Sequence, residues 1–157
     1  MNKTSGIFGG GQLGRMMAQA ALPLNLQCTF FEAETNCPAA ILGSVFSSKN
    51  EQGLQDFIAS ADVFSLEFEN TPVADVDVLT QTKTLHPPRL ALATAQNRLA
   101  EKALFDQLAI PVAPYRAVDS LESLKQAVAE LGLPIVLKTV TGGYDGKGQF
   151  VLRTENQ

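Results

Sequence analysis

The chain contains no tryptophan, one histidine and two cysteines. With His86 alone, it cannot build a histidine-based triad or a histidine metal cluster by itself. That histidine stands before Pro87-Pro88 and reads as a loop residue. Cys28 and Cys37 match no metal-ligand spacing. Cys28 lies in an apolar run and is expected to pack as a small hydrophobe. A reduced, cytoplasmic setting fits both thiols. Positive charge is also short: 12 Lys and Arg stand against 16 Asp and Glu, a net charge of −4. That balance argues against a general nucleic-acid surface. An anionic ligand has to be met by local lysines, arginines and backbone N–H groups. No apolar run approaches the roughly 20 residues needed to span a bilayer, so no membrane segment is expected. The start, Met1 to Phe8, goes straight into a strand and lacks a signal peptide's long apolar core. Internal repeats and low-complexity segments are missing too.

What remains is a globular chain of 157 residues, 45% hydrophobic and 18% charged. That length suits one domain, or one and a part. Its 12 glycines are bunched, with four in Gly9–Gly14 and four in Gly142–Gly148. The second bunch organises the chain. Ile135 to Leu137 reads as a buried strand, and Lys138 ends it. An ammonium there asks for an anionic partner. Thr141-Gly-Gly-Tyr-Asp-Gly-Lys-Gly148 can form neither a packed helix nor a good strand. Phe150-Val151-Leu152 follows, giving strand, glycine loop, strand. Glycines let N–H groups approach a ligand closely, and Lys138 and Lys147 flank them, so a phosphate chain is the natural ligand. The plainer alternative is a flexible hairpin with surface lysines. A Walker A loop is excluded, because Lys147 is followed by Gly148-Gln149 and a β-like run.

The first bunch, Gly9-Gly-Gly-Gln-Leu-Gly14, follows a short strand at Ile7-Phe8. Met16, Met17, Ala20 and Ala21 then recur at helical spacing, Pro23 stops that helix, and Leu26 to Phe31 forms a second strand ending at Glu32. This is a βαβ unit of a parallel sheet, and its helix N-terminus is an anion site. Dinucleotide binding, with Glu32 on a ribose, is one reading. Close helix packing or a single phosphate is another.

Asn36 to Ala40 reads as a loop and Ser44 to Ser48 as a short strand. Leu54, Phe57, Ile58 and Ala61 form a helical stripe. Asp62 to Asn70 alternates as a strand, with Val63, Ser65, Glu67 and Glu69 on one face and Phe64, Leu66 and Phe68 on the other. Glu67 and Glu69 lie near its C-terminal end, which in open α/β sheets faces the ligand crevice; the alternative is that both are simply solvated. A short helix from Thr71-Pro72 to Leu79 and an edge strand at Thr84-Leu85 complete this part. Beyond Pro87-Pro88 one long helix is expected from Arg89 or Thr94 to Leu108, with Leu92, Ala95, Leu99, Ala103 and Leu108 as its apolar face. Tyr115 to Val118 is a candidate strand. Asp119 and Glu122 fit a capping box. Leu121, Leu124, Val128 and Leu131 form the next buried stripe, which Gly132 and Pro134 end.

A lysine ending one strand before a glycine-rich hairpin resembles the ATP-grasp superfamily. Within it, Gly142 to Gln149 is similar to the N5-carboxyaminoimidazole ribonucleotide synthetase family. Gly9 to Met16, Glu67-Phe-Glu-Asn70 and Ala95 to Lys102 resemble that family's opening, acidic strand end and linker helix. One departure is Val140-Thr141, where members often carry an arginine. The resemblance implies ATP-dependent carboxylation of 5-aminoimidazole ribonucleotide by bicarbonate through carboxyphosphate. It implies catalytic roles for Lys138, Tyr144 and Lys147. It implies ATP contacts from Arg98, Lys138, Gly143, Tyr144, Asp145, Gly146, Lys147, Gly148 and Gln149, and ribonucleotide contacts from Gly11, Gln12, Leu13 and Glu69. Mg2+ ligands and an adenine-binding segment would lie downstream of residue 157. The expected fold is α/β: an open parallel-sheet, Rossmann-like pre-ATP-grasp domain over 1–93, then a linker helix and incomplete ATP-grasp domain over 94–157. The chain would be an N-terminal fragment, inactive alone, and the resemblance suggests a homodimer. Competing classes are a nicotinamide-dinucleotide-binding Rossmann domain, another ATP-grasp ligase of purine metabolism such as a glycinamide ribonucleotide enzyme, and a non-catalytic structural domain.

Overall fold

The computed structural model describes residues 3–143 and 146–154. The chain forms two compact units, Met1–Ala93 and Thr94–Gln157. The first contains β1 (Thr4–Phe8), α1 (Gln12–Ala21), β2 (Gln27–Glu32), β3 (Ser44–Ser47), α2 (Gly53–Ser60), β4 (Val63–Leu66), α3 (Val73–Leu79) and β5 (Thr84–His86), and most of α4 (Arg89–Ala95), whose last two residues fall past its boundary. Its five strands make one parallel sheet in the order β3-β2-β1-β4-β5. This is the α/β class expected from the strand–helix alternation. The order reverses between β1 and β4, so the loops leaving those two strands border one crevice.

Alternation along the strands sends neighbours into different cores. Phe8 and Phe31 join Phe57, Ile58, Phe64, Val76, Leu79 and Leu85 in one. Ile7 and Phe30 join Ala18, Ala21, Cys28 and Ala39 in the other. Phe57 is the hub of the first: its ring centroid lies 5.1 Å from those of Phe8 and Phe64 and 5.4 Å from that of Phe31. Cys28 is buried, and burial pushes its thiol pKa up. It packs as a small hydrophobe.

Several local expectations are corrected. In α1 the buried residues are Gly14, Ala18 and Ala21, while Met16 and Ala20 are exposed; small residues face the sheet because the helix lies close to it. Pro38–Ile41 is a short 3-10 helix within the expected loop. Strand β4 stops at Leu66, so Glu67 to Asn70 form a turn, and Phe68 is exposed. His86 is the last residue of β5 rather than a loop residue.

The second unit contains α5 (Arg98–Gln107), α6 (Leu121–Leu131), β6 (Ile135–Lys138) and β7 (Gln149–Leu152). The single long helix is in fact two, because Asn97 starts a new one. Asn97 is extended, and its side chain accepts the Leu99 and Ala100 N–H groups. The Arg98 N–H donates to the Val140 carbonyl at 3.0 Å, outside the helix. Ala103 and Leu108, assigned to an apolar face, are exposed. The cap of α6 is shifted by one residue: Ser120 and Ser123 form the reciprocal pair, and Asp119 supports it by accepting from the Ser123 hydroxyl at 3.1 Å. On α6 only Ala127 is buried, and Leu121 is exposed. Tyr115 to Val118 forms no strand; its side chains tie to helices instead, Tyr115 Oη to Asp106 at 2.7 Å and Arg116 Nε to Glu130 at 2.5 Å. Strands β6 and β7 pair antiparallel, with Lys138 opposite Gln149. Strand β6 alternates between half-buried and exposed, short of the full burial its sequence suggested.

Candidate functional site

The first glycine turn joins β1 to α1 at the switch point. Phe8 pairs with Leu66, so Gly9 and Glu67 leave adjacent strands side by side. The Glu67 N–H donates to the Phe8 carbonyl at 2.8 Å. Its carboxylate turns into the loop and accepts two N–H bonds, from Gly11 at 2.8 Å and from Leu13 at 3.0 Å. Glu32, at the end of β2, accepts from Gly10 at 3.1 Å and from Ala33 at 2.8 Å. Gly9 has φ +104°, and a Cβ there would lie 2.4 Å from a Glu67 carboxylate oxygen. A Cβ on Gly11 would lie 2.5 Å from the other oxygen. The anion that the helix N-terminus attracts is therefore the chain's own Glu67.

Two readings of the turn meet this geometry. The Gly11 and Leu13 N–H groups that a phosphate would use are held by Glu67. Glu32 does not point outward for a ribose, since it is folded onto Gly10 and Ala33. Gln12 and Leu13 are exposed at the start of α1, and Glu69 is exposed in the turn beyond β4. The turn thus brings Gly11, Gln12 and Leu13 together with Glu67, a residue whose contact with the turn the sequence reading did not foresee. The signal for it was the strand boundary: with β4 ending at Leu66, Glu67 is the first residue past the strand beside β1.

The second site is the β6–β7 hairpin. The Thr139 N–H donates to the Gly148 carbonyl at 2.9 Å and extends the pairing by one step. Gly148 has φ +70°, and a Cβ there would come within 2.7 Å of Thr139 Oγ1. The loop therefore folds tightly back on the strand end, which only glycine allows. A Cβ on Gly143 would lie 3.5 Å from an Arg98 guanidinium nitrogen. Arg98, Lys138, Gly143 and Gly148 thus fall in one neighbourhood. Gly146, Lys147 and Gln149 are exposed along the loop and the start of β7. Tyr144 and Asp145 lie outside the described residues. A pocket of about 490 Å³ lies alongside, its walls including Arg98, Lys102, Tyr115, Leu137, Lys138 and Val140. The Tyr115 hydroxyl is raised above its ordinary pKa of 10.0 by its hydrogen bond to Asp106, so it stays a neutral donor. Lys102 Nζ stands 5.7 Å from the Tyr115 ring centroid, within cation–π range.

The family described as "Ribonucleotide synthetase preATP-grasp domain" matches residues 1–96. The chain belongs to this family. The ATP-grasp domain family matches residues 103–157 of the same preATP-grasp chain. Among curated relatives, the N5-carboxyaminoimidazole ribonucleotide synthase of Brucella melitensis biotype 1 is 41% identical over 152 residues, covering 95% of this chain and 42% of that protein. The structure of the Staphylococcus aureus N5-carboxyaminoimidazole synthetase complexed with ADP superposes with a TM-score of 0.92 at 32% identity, over 98% of this chain and 42% of the other. The Aspergillus clavatus enzyme, in complex with ADP and 5-aminoimidazole ribonucleotide, gives 0.85 at 25% identity, over 99% and 42%. The chain spans less than half the length of these relatives. Among its described residues, no helix is long and apolar enough to cross a membrane.

Proposed function

We propose that this chain is the N-terminal part of an N5-carboxyaminoimidazole ribonucleotide synthetase. The reaction is carboxylation of 5-aminoimidazole ribonucleotide by bicarbonate with consumption of ATP. Bicarbonate oxygen attacks the γ-phosphorus and ADP leaves, giving carboxyphosphate. The exocyclic amine of the ribonucleotide then attacks the carboxyl carbon, and inorganic phosphate leaves. The observation that carries this reading is the lysine-ended strand and glycine hairpin with Arg98 at its base, in a chain 41% identical to a synthase of that name.

In this reading Lys138 and Lys147 neutralise the ATP phosphates, and Gly143 to Gln149 fold over them, Tyr144 and Asp145 included. Arg98 frames the nucleotide from the start of α5. Phosphoryl transfer of this kind is chiefly positioning and charge neutralisation. Gly11, Gln12, Leu13 and Glu69 line the ribonucleotide pocket, but through side chains and carbonyls, because Glu67 holds the Gly11 and Leu13 N–H groups. Among the described residues, no group of three or more His, Cys, Asp or Glu could hold a metal ion. We place the magnesium ligands in the further length that the relatives possess. A homodimer and a cytoplasmic setting belong to the same reading, with no nucleic-acid partner.

The test is ADP release. The full-length protein should release ADP only with both bicarbonate and aminoimidazole ribonucleotide, at an ordinary rate on the order of 1 per second or more. The isolated chain of 157 residues should show none. ADP release that glycine and phosphoribosylamine stimulate instead would move the protein to the glycinamide ribonucleotide class. Turnover by the isolated chain would show that its hairpin needs no further carboxylates.

A further inference from the structure

We infer that Glu67 is a built-in anion, occupying the place at the first glycine turn where a dinucleotide-binding fold seats a phosphate. Two observations carry this independently. The first is polar: one carboxylate bridges the Gly11 and Leu13 N–H groups at the N-terminus of a helix that is 10 residues long. Charge-assisted bonds to a helix N-terminus are what a bound phosphate would make. The second is steric: Cβ atoms on Gly9 and Gly11 would meet Glu67 oxygens at 2.4 and 2.5 Å. The glycines keep side chains out of the space that the carboxylate fills. The G-x-G-x-x-G spacing, read elsewhere as room for pyrophosphate, here makes room for a glutamate just past the end of the neighbouring strand.

The consequence concerns selectivity. A nucleotide phosphate entering the turn would have to displace Glu67 and then face Glu32, which holds Gly10. Two carboxylates at one turn repel a third anion. Glu67 therefore acts as a positioning residue: it fixes the Gly11–Leu13 backbone and closes the turn to dinucleotides. The inference does not depend on the reaction proposed above, and its test uses no turnover.

Amide hydrogen exchange at Gly11 and Leu13 reads the arrangement directly. In Glu67→Ala, both amides should exchange faster by about tenfold or more, since each loses a bond to a charged group. Inorganic phosphate should then restore protection by at least about twofold in that variant while leaving the parent chain unchanged. Because Glu32 opposes phosphate, the titration is repeated in Glu32→Gln/Glu67→Ala. Rescue in either background supports the inference. Unchanged exchange in a folded variant overturns it, as does phosphate protection of the parent's amides. Faster exchange with rescue in neither background overturns it too, leaving Glu67 a structural cap. If Glu67→Ala does not fold, Glu67→Gln decides. Its single acceptor oxygen can hold one N–H well, so one of the two amides should exchange faster; equal parental protection of both overturns the inference.

Discussion

The two units use similar apolar sequence to different ends. In residues 1–93, Phe8, Phe30, Phe57 and Phe64 are each at most 2% exposed, and the parallel sheet is covered on both sides. In residues 94–157, Ala127 is the only buried hydrophobic residue among those described, while Phe150, Leu121 and Leu108 stand at least 60% exposed. The helices of the second unit are well capped and its hairpin is well paired. Among its described residues, secondary structure is in place there with little buried apolar surface. A stripe of leucines specifies a buried face only if another layer meets it. The ATP-grasp family matches 103–157 within this unit, and the chain covers 42% of the length of the Brucella melitensis relative.

The contrast is broken most forcefully by truncating the hub of the first core. Phe57→Ala should destabilise the chain by about 3–5 kcal/mol, the usual cost of a large cavity. Phe150→Ala should change stability by less than about 0.5 kcal/mol in the same chain, as exposed substitutions do. Urea unfolding of both variants decides it; comparable losses would mean that the second unit has a real core in solution.

The ligand-binding side of the comparison is sharpened next. In the full-length protein, Lys138→Ala should lower kcat/KM for ATP about 10- to 100-fold, equivalent to losing about 1.5–3 kcal/mol of a charge-assisted contact. Lys125→Ala is the control, because that lysine is exposed on α6, away from the pocket walls. It should stay within about twofold of the parent. Steady-state kinetics with both variants test the hairpin assignment, and equal rates would remove Lys138 from the phosphates.

What the sequence made legible follows the same division. Where both neighbours of a segment are present, as for Ile7-Phe8, Phe30-Phe31 and the stripe ending at Ala61, pattern led to the observed strands and helix. Boundaries set by single side chains were harder. Asn97 is an ordinary polar residue inside a helical period until its carboxamide is seen to accept two N–H groups. The capping box could be written one residue earlier because Asp119, Ser120, Glu122 and Ser123 offer two overlapping versions. Glu67 and Glu69 look alike by strand alternation; only the end of β4 at Leu66 assigns the first to the glycine turn. Tyr115 to Val118 reads as a strand, but its side chains are anchored by Asp106 and Glu130 on helices and no partner strand meets it among the described residues.

A smaller effect tests the helix break. Asn97→Ala removes the acceptor for the Leu99 and Ala100 N–H groups and should cost about 1 kcal/mol, within the 0.5–2 range typical of N-caps. Asn97→Asp should recover most of it. Because Arg98 is the first residue of α5, the alanine variant should also weaken ATP binding by the full-length protein by a few fold. Calorimetric melting and nucleotide titration measure the two effects separately.

The smallest effect belongs to the surface of the well-packed unit. Arg89, just after Pro87-Pro88, grips Asp77 on α3 with two bonds, Nε to Oδ1 at 2.6 Å and Nη2 to Oδ2 at 3.1 Å. The hydrogen bond and charge of Arg89 hold the Asp77 carboxyl below its ordinary value of 3.8. A carboxyl depressed in the folded state binds its proton more weakly there than in the unfolded chain. Its contribution is therefore complete above the ordinary carboxylate range and is lost as pH falls through the folded-state value. The pair is exposed and screened by salt, so its effect on stability should be slight. The direction is nevertheless measurable. In an NMR pH titration, the Asp77 carboxyl should titrate below the ordinary aspartate value, and Arg89→Ala should bring it back up. High salt should do the same in part. An Asp77 titration that Arg89→Ala leaves unmoved would show that the two-bond clip does not persist in solution.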